Sequence, residues 1–505
     1  MSIFRLIKEA IHKLIPYKEI SSLEGVESPI SAKMQQALSD WQGMYQASPP
    51  WLDENAGVRT MNVAAFVCSE IARQILLEAQ YSITEKSNKR KELRDKVLAK
   101  GTNDNLPYVQ KLRAEYLSEQ FQSLMDALRP KLEIGCAAGG LVIKPYPKDG
   151  KLFFSFIYDW DLYPLSFDAA GNLSGVIFPD RFQKGKTYYT RLEKHVIDGQ
   201  SVIITNRAFR STNPNTLGVE INLSEVEQWA DLQPEATAQN TGGMLFGWFR
   251  TANANTADLT CPLGAAVFDK ATDIIKQADE KMYSALLWEF EGSQLAVDVD
   301  YSVLRPRQDA DGVRHTVPRL QQRLFRGVSL PPNGEKSSFY NLFSPAIRDA
   351  NYINGLNQLL IRIEDLCGLA RGVMSDPNQV ARTAKEIMYT RMRSYETVHD
   401  NQKALEKCLR DVIRAMDYYA TAYNLAPQGD YEVSFEWDDS IITDREQQMS
   451  ERLLLMNAGI ISKQEMRQWY TGETEEQAAA AIAAIVKEKA AERPIDYPNL
   501  DEPQV

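Results

Sequence analysis

Apolar residues in this chain recur with two different periods, and the switch between them divides the sequence. In Met1–Ile15 the apolar positions Ile3, Leu6, Ile7, Ala10, Ile11, Leu14 and Ile15 follow helical spacing, interrupted by Arg5, Lys8, Glu9 and Lys13. A secretory leader needs an unbroken apolar stretch, so this segment predicts an amphipathic helix docked on protein. Asn55–Gln80 carries Val58, Met61, Val63, Phe66, Val67, Ile71 and Ile75, the wide apolar face of a buried helix. Lys86–Lys100 is charge-rich. A further helix is predicted from Tyr108 to Leu128, with Pro130 marking its end.

From Leu141 to about Arg207 the period shortens to that of strands. Phe153–Tyr158, Gly175–Phe178 and Tyr188–Thr190 are predicted strands, separated by the turn signals Lys148-Asp149-Gly150, Ala170-Gly171-Asn172 and Asp198-Gly199-Gln200. The spacing predicts an antiparallel meander. Residues 208–262 are rich in Asn, Thr and Gly, and their weak periodicity predicts loops ending at Pro262.

Helical spacing then returns. Ala265–Phe290 places Val267, Ala271, Ile274, Ala278, Met282, Ala285 and Leu286 on one stripe with charges beside it, a rod of roughly 40 Å at 1.5 Å per residue. A short mixed block follows, with a strand at Leu295–Val299 and prolines at 306, 318, 331 and 332. A second long helix is predicted over Pro345–Ala370, a polar break over Arg371–Thr383, and a third long helix over Ala384–Tyr423. After a strand at Tyr431–Trp437 the rest reads as helical. Ser462 and Glu465 form a capping box, Glu475–Lys489 is alanine-rich, and a proline-bearing acidic tail begins at Arg493. The fold class predicted is α+β, predominantly helical.

Composition narrows the chemistry. With 505 residues, 44% hydrophobic and 25% charged, the chain has material for several cores, which excludes global disorder. The longest apolar run, Ala478–Val486, is far short of a membrane span. Lys plus Arg number 57 against 68 Asp plus Glu, so the net charge of −11 argues against a conventional nucleic-acid binder. Cys68, Cys136, Cys261, Cys367 and Cys408 are scattered, without metal-ligand spacing, and predict free thiols. The four histidines do not cluster. Gly135–Gly140 lacks a Walker lysine and precedes a strand, which predicts a tight turn with Cys136 as a small core residue. Asp159-Trp160-Asp161 reads as a polar turn. No catalytic residue, metal site or cofactor is expected.

Two local features remain. Arg305, Arg307, Arg314, Arg319, Arg323 and Arg326 form a basic island opposed only by Asp309 and Asp311, suited to nucleic acid or an acidic protein, or equally to a solvated surface loop. The helix break and its flank hold Arg371, Asn378, Gln379, Arg382 and Lys385, which fit either a functional loop tip or an ordinary connection.

The order of parts resembles the portal proteins of tailed bacteriophages, most closely those of long-tailed phages of Gram-positive bacteria. The stretches carrying the resemblance are Gly139–Tyr146, Asp161–Asp168, Tyr188–His195, and Val433–Ile441 followed by Asp444. It covers essentially the whole chain through joint order rather than any single motif.

The resemblance implies a ring of twelve subunits at one capsid vertex, built from a wing, stem, clip and crown. Residues 1–264 would be the wing, 265–292 the first stem helix, 293–344 the clip and 345–370 the second stem helix. Residues 371–383 would be a tunnel loop facing DNA, 384–440 a long helix and strand returning to the wing, and 441–505 the crown. Implied partners are other copies of the chain, double-stranded DNA in the channel, the terminase large subunit, a head-tail adaptor protein, and the major capsid and scaffolding proteins, with no membrane. The clip arginines would meet terminase or the adaptor. The implied location is the virion, with assembly in the host cytoplasm. A wall bearing Asp and Glu would hold phosphates off and allow sliding. The alternatives are another virion scaffold or membrane-peripheral structural protein, and, third, an enzyme acting on nucleic acid.

Overall fold

The computed structural model describes residues 17–25, 29–52, 58–77, 79–86, 112–292, 296–300, 307–308, 314–315, 325–328, 340–343, 348–377, 384–437, 445–471 and 475–491. Contacts divide the chain into two units, 1–437 and 438–505. The expected helix at Met1–Ile15, the charged stretch Lys86–Lys100 and the tail from Arg493 fall outside the described residues.

In the first unit, α1 spans Tyr17–Glu24 and α2 spans Ala32–Tyr45, opened by Ser31, whose hydroxyl accepts from the Met34 amide at 3.1 Å. Helix α3, Val63–Leu76, buries Val67, Cys68, Ile71 and Ile75 as its stripe predicts. Helix α4, Arg113–Ala138, departs from expectation by running straight through Pro130. The proline removes one backbone hydrogen bond. Beyond it Leu132, Cys136, Ala137 and Ala138 are fully buried, and that apolar contact holds the last turns together. Gly139 then adopts φ 82° as a left-handed cap, so the tight turn expected at the glycine-rich run is the end of this helix.

Strands β2 (Gly140–Lys148) and β3 (Lys151–Tyr158) form a hairpin whose turn residues Asp149 and Gly150 have φ 51° and 74°, the left-handed pair that matches strand twist. Strands β4 (Tyr163–Phe167), β5 (Leu173–Lys184), β6 (Thr187–Asp198), β7 (Ser201–Ser211) and β8 (Val219–Ile221) pair in that order, with β9 (Glu235–Ala238) also on β7. Strand β10 (Gly247–Arg250) pairs with β2. The expected meander is therefore divided between two sheets. Residues 208–262, expected as loops, supply three short strands and the buried Met244, Leu245, Phe246 and Phe249. Strands of three or four residues are too brief to display a period of two.

The mixed block contains β11 (Ala296–Asp300), paired in parallel with β14 (Phe325–Val328) and antiparallel with β15 (Tyr340–Phe343), while β12 (Arg307–Gln308) pairs with β13 (Arg314–His315). Strand β16 (Tyr431–Trp437) lies antiparallel to β1 (Ala79–Glu85), from Ala79 opposite Trp437 to Glu85 opposite Tyr431.

The first long rod, α5, starts later than its apolar spacing suggests. Ala265, Ala266, Val267 and Phe268 are buried on the core without being helical, and Asp269–Ala271 form a single tight turn. Helix α5 then comprises Thr272–Gln277, a π-helical turn Ala278–Tyr283, and Ser284–Gly292. Helix α6 is Asp349–Cys367, stopped by Gly368 at φ 70°. Helix α7, Ala384–Ala422, matches expectation.

One apolar cluster gathers α2, α3, α4, β2 and the inner ends of α5, α6 and α7, including Trp41, Phe121, Phe268, Ile363, Leu405 and Met416. All five cysteines are buried and unpaired. Tryptophan indoles are anchored by a repeated device: Trp41, Trp51, Trp229, Trp248 and Trp437 donate to Asp269, Asp279, Asp180, Asp159 and Glu406 at 3.0–3.1 Å. Each bulky ring is thereby packed without leaving its N–H unpaired.

The second unit holds α8 (Arg445–Asn457), α9 (Lys463–Thr471) and α10 (Glu475–Ala491). The capping box forms as expected. Ser462 N donates to Glu465 Oε2 at 2.7 Å, and Glu465 N donates to Ser462 Oγ at 3.0 Å. The Arg452 guanidinium lies 4.6 Å from the Trp469 ring centre.

Candidate functional site

Helices α5 and α6 form an antiparallel hairpin. At one end Arg348 makes two hydrogen bonds to Glu289, at 3.1 and 3.0 Å. Midway, Gly355 lets the backbone approach Met282, whose sulfur would stand 3.1 Å from any Cβ placed there. At the other end Ile363 and Cys367 enter the core. The outer faces differ. Among the described side chains of α5, Asp273, Lys276, Gln277, Lys281 and Trp288 are exposed, and Lys276 lies 3.9 Å from Glu280. On α6 they include Asn351, Ile353, Asn354, Gln358 and Arg362. Trp288 is 69% exposed and Ile353 48%, unusual for side chains of that size.

The root of α5 is riveted to the end of α4. The backbones of Gly139 and Gly264 touch, so a Cβ on Gly139 would sit 2.5 Å from the Gly264 carbonyl oxygen. Thr251 bridges the same place, its hydroxyl donating to Ala265 O at 2.6 Å and Gly139 O at 3.2 Å. Nearby Asp159 is fully buried, and burial pushes its carboxyl up to about 7 against the opposing pull of Trp248, Arg250 and Gly264. Burial likewise raises Asp161 to about 7. The turn expected at Asp159–Asp161 thus buries Asp159 and Trp160, while Asp161 is half-buried.

Further along α5, the π-turn presents Asp279, which is buried and accepts from Trp51 Nε1 at 3.1 Å and Met61 N at 2.9 Å. Ser284 Oγ donates to Asp279 O at 2.6 Å and accepts from Arg59 N at 2.9 Å. The widened turn frees a carbonyl for that hydroxyl, and the N-terminal segment is strapped to the helix there.

The far end of α6 is secured differently. Glu364 is 0% exposed, and its carboxylate accepts from Gly372 N at 3.2 Å, Met374 N at 2.5 Å, Ser375 N at 2.9 Å and Ser375 Oγ at 2.7 Å. Asn357 Oδ1 accepts from Asp376 N at 2.7 Å. A segment of successive N–H groups thus wraps around an internal anion.

The residues singled out from sequence fall on these elements unevenly. Arg371, expected to face DNA, sits in the clamped turn and donates to both Asp365 oxygens at 2.9 Å, a pairing that raises its pKa. Asn378, Gln379 and Arg382 lie outside the described residues, and Lys385 is in the first turn of α7. Of the basic island, Arg305, Arg319 and Arg323 lie outside the described residues. Arg307 stands opposite His315 and Arg314 opposite Gln308, while Arg326 stands opposite Asp298 on the neighbouring sheet. The island is divided between two sheets. Glu364 and Asp279 were not anticipated.

A cleft of about 770 Å³ lies between the two larger sheets, lined among others by Lys144, Arg191, Glu193, Tyr419 and Tyr423. Glu193 there meets Lys144 at 2.5 Å, His195 at 2.7 Å and Arg191 at 3.1 Å. Burial alone raises its carboxyl, yet Lys144, His195 and Arg191 together hold it well below the usual range. Burial also lowers His195. Glu193 is shared between two cations, and Arg191 also reaches Asp180 at 3.4 Å, an arrangement suited to joining sheets.

The sequence matches a family model described as "Phage portal protein, SPP1 Gp6-like" over residues 72–494. No curated protein matches it. Among solved structures, "Neck of empty GTA particle computed with C6 symmetry" matches at 10% identity and a TM-score of 0.34, covering 80% of this chain and 88% of that one.

Proposed function

This chain belongs to the SPP1 Gp6-like phage portal family, a family of virion structural proteins, and from that premise we propose that twelve copies close into a ring at one capsid vertex and pass double-stranded DNA through its bore. The α5–α6 hairpin would be the stem, residues 293–344 the clip, 371–383 the tunnel loop, and 1–264 with 384–440 the wing. The helices of 441–505 would form the crown. The clip, with Arg307, Arg314 and Arg326, would receive the terminase large subunit and later the head-tail adaptor. The wing and crown would meet the major capsid and scaffolding proteins.

One observation supports the ring beyond family membership. The hairpin leaves Trp288 and Ile353 in water, and a rod with an apolar residue on its flank gains by lying beside its copy in the next subunit. Twelve repetitions of one heterologous contact close without leaving that surface exposed.

Sedimentation velocity and negative-stain microscopy of the full chain test this. We expect a large ring with an open bore, and Trp288→Glu shifts the population toward smaller species. A chain that stays monomeric at every concentration overturns the proposal.

A further inference from the structure

We propose that neighbouring subunits share a β-sheet, in which β1 of one copy adds antiparallel to the open edge of β3 of the next; this rests on the portal reading above.

An unpaired strand edge invites pairing with another chain, and proteins blunt it with proline, charge, bulges or short length. Most edges here are treated in that way. Strand β4 carries Pro164 and two register shifts, β8 and β9 have three and four residues, and β10 backs onto the Cys408 carbonyl of α7 through Gly247. The part of β5 that runs beyond β4 holds Pro179, Asp180 and Arg181. Strands β1 and β3 differ. Among the described residues each pairs on one side only, and they are seven and eight residues long without a proline. Their charges stand only at the ends, Glu85 on β1 and Lys151 on β3.

The ladders show which backbone groups face outward. Pro145 and Pro147 of β2 stand opposite Phe154 and Leu152 and cannot donate, so these pairs exchange no hydrogen bonds. Leu152 N accordingly turns away from β2 and donates to Gln120 Oε1 at 3.1 Å. Alternation then directs the N–H and C=O of Phe154 and Phe156 to the open side. On the other ribbon Lys86 N donates to Asp430 O at 3.1 Å, and the Val433 carbonyl accepts from Arg410 at 3.2 Å. By the same alternation Tyr81 and Ile83, opposite Phe435 and Val433, turn their backbones away from β16.

The two strands lie on opposite flanks of α4. Gln120 reaches β3, whereas Gln122 accepts from the Tyr81 hydroxyl of β1. Residues two apart on a helix point about 200° from one another. The helix between them keeps the two edges apart within one copy, and two different edges on opposite flanks are what a head-to-tail contact between copies requires. Main-chain hydrogen bonds supply the affinity of such a joint. Charge selects its register. With Ile83 opposite Phe154 and Tyr81 opposite Phe156, every outward backbone enters a hydrogen-bonded pair. Glu85, whose Oε2 is buried without a hydrogen-bond partner, then stands beside the exposed Lys151 of the next copy.

The test uses the assembled full-length protein. In this register Ser82 and Ser155 are directly opposite, at a spacing that a disulfide spans, and the native cysteines are all buried. Mild oxidation of S82C/S155C rings is expected to give a ladder of covalent oligomers on a denaturing gel, while S82C and S155C alone stay monomeric there. Intact rings of the double variant without a ladder, or a ladder from either single variant, overturn the proposal. Hydrogen exchange on unsubstituted rings gives a second arm. The amides of Tyr81, Ile83, Phe154 and Phe156 are expected to exchange as slowly as those of β6, which is paired on both sides. Rapid exchange at these four positions in intact rings would also overturn it. Failure to form any ring is seen first by microscopy and counts against the portal reading instead.

Discussion

Both helices of the hairpin are anchored through carboxylates, but the donors come from opposite distances. In the turn that leads into α5 and on α5 itself, Asp269 and Asp279 take indole N–H groups from Trp41 and Trp51, each pair separated by 228 residues. On α6, Glu364 takes all of its donors from within 11 residues. Helix α5 is therefore seated only when distant parts of the chain have come together, whereas the turn after α6 is made by its own neighbourhood. A local device survives loosening elsewhere, and a long-range one reports it.

The largest expected effect is at Glu364. Replacing it with Ala leaves the Met374 and Ser375 N–H groups and the Ser375 hydroxyl without their acceptor, a loss of about 3–5 kcal/mol, measured by urea unfolding of the full chain. Hydrogen exchange should show amides 372–375 losing protection while Met61 keeps its own. Asp279→Ala should cost about 2–3 kcal/mol and show the reverse pattern, with Met61 and the Trp51 environment disturbed and 372–375 unchanged. If either substitution loosened both places equally, the distinction between local and distant anchoring would collapse. Gly355→Val, which crowds Met282 without touching either anchor, should cost about 1–2 kcal/mol and leave both exchange patterns intact.

The last effect depends on pH. Asp159 has a folded pKa near 7 against an ordinary 3.8. The unfolded chain loses this proton first, so the site's contribution to stability falls as pH rises from about 4 to 7 and is constant above. Asp159→Asn should remove that decline. The variant's melting temperature should gain about 4 °C on wild type across the interval, and a gain that grew on acidification would refute the assignment.

Much of this architecture was legible where periodicity ran long. Helix α7, strand β16 and the Ser462–Glu465 box were read with nearly the observed boundaries because each carries its own period or cap. The start of α5 was misplaced because buried extended residues such as Val267 and Phe268 carry the same apolar signal as a helix face. Pro130 was read as a stop because local propensity cannot see the burial waiting beyond it. For the site, Arg371 was visible as an exposed cation, but its partner Asp365 was not sought. Glu364 did leave a trace, a lone acid within the apolar stripe of Leu360, Ile363 and Cys367. The tryptophan–aspartate straps left none, since no local pattern links residues 228 apart.

Gly139 and Gly264 meet backbone to backbone where α5 leaves the body of the protein. A single methyl group at either would push the base of the rod outward. In a closed ring that displacement would be copied by every subunit at once, so the smallest possible side chain would change the circumference of the whole collar.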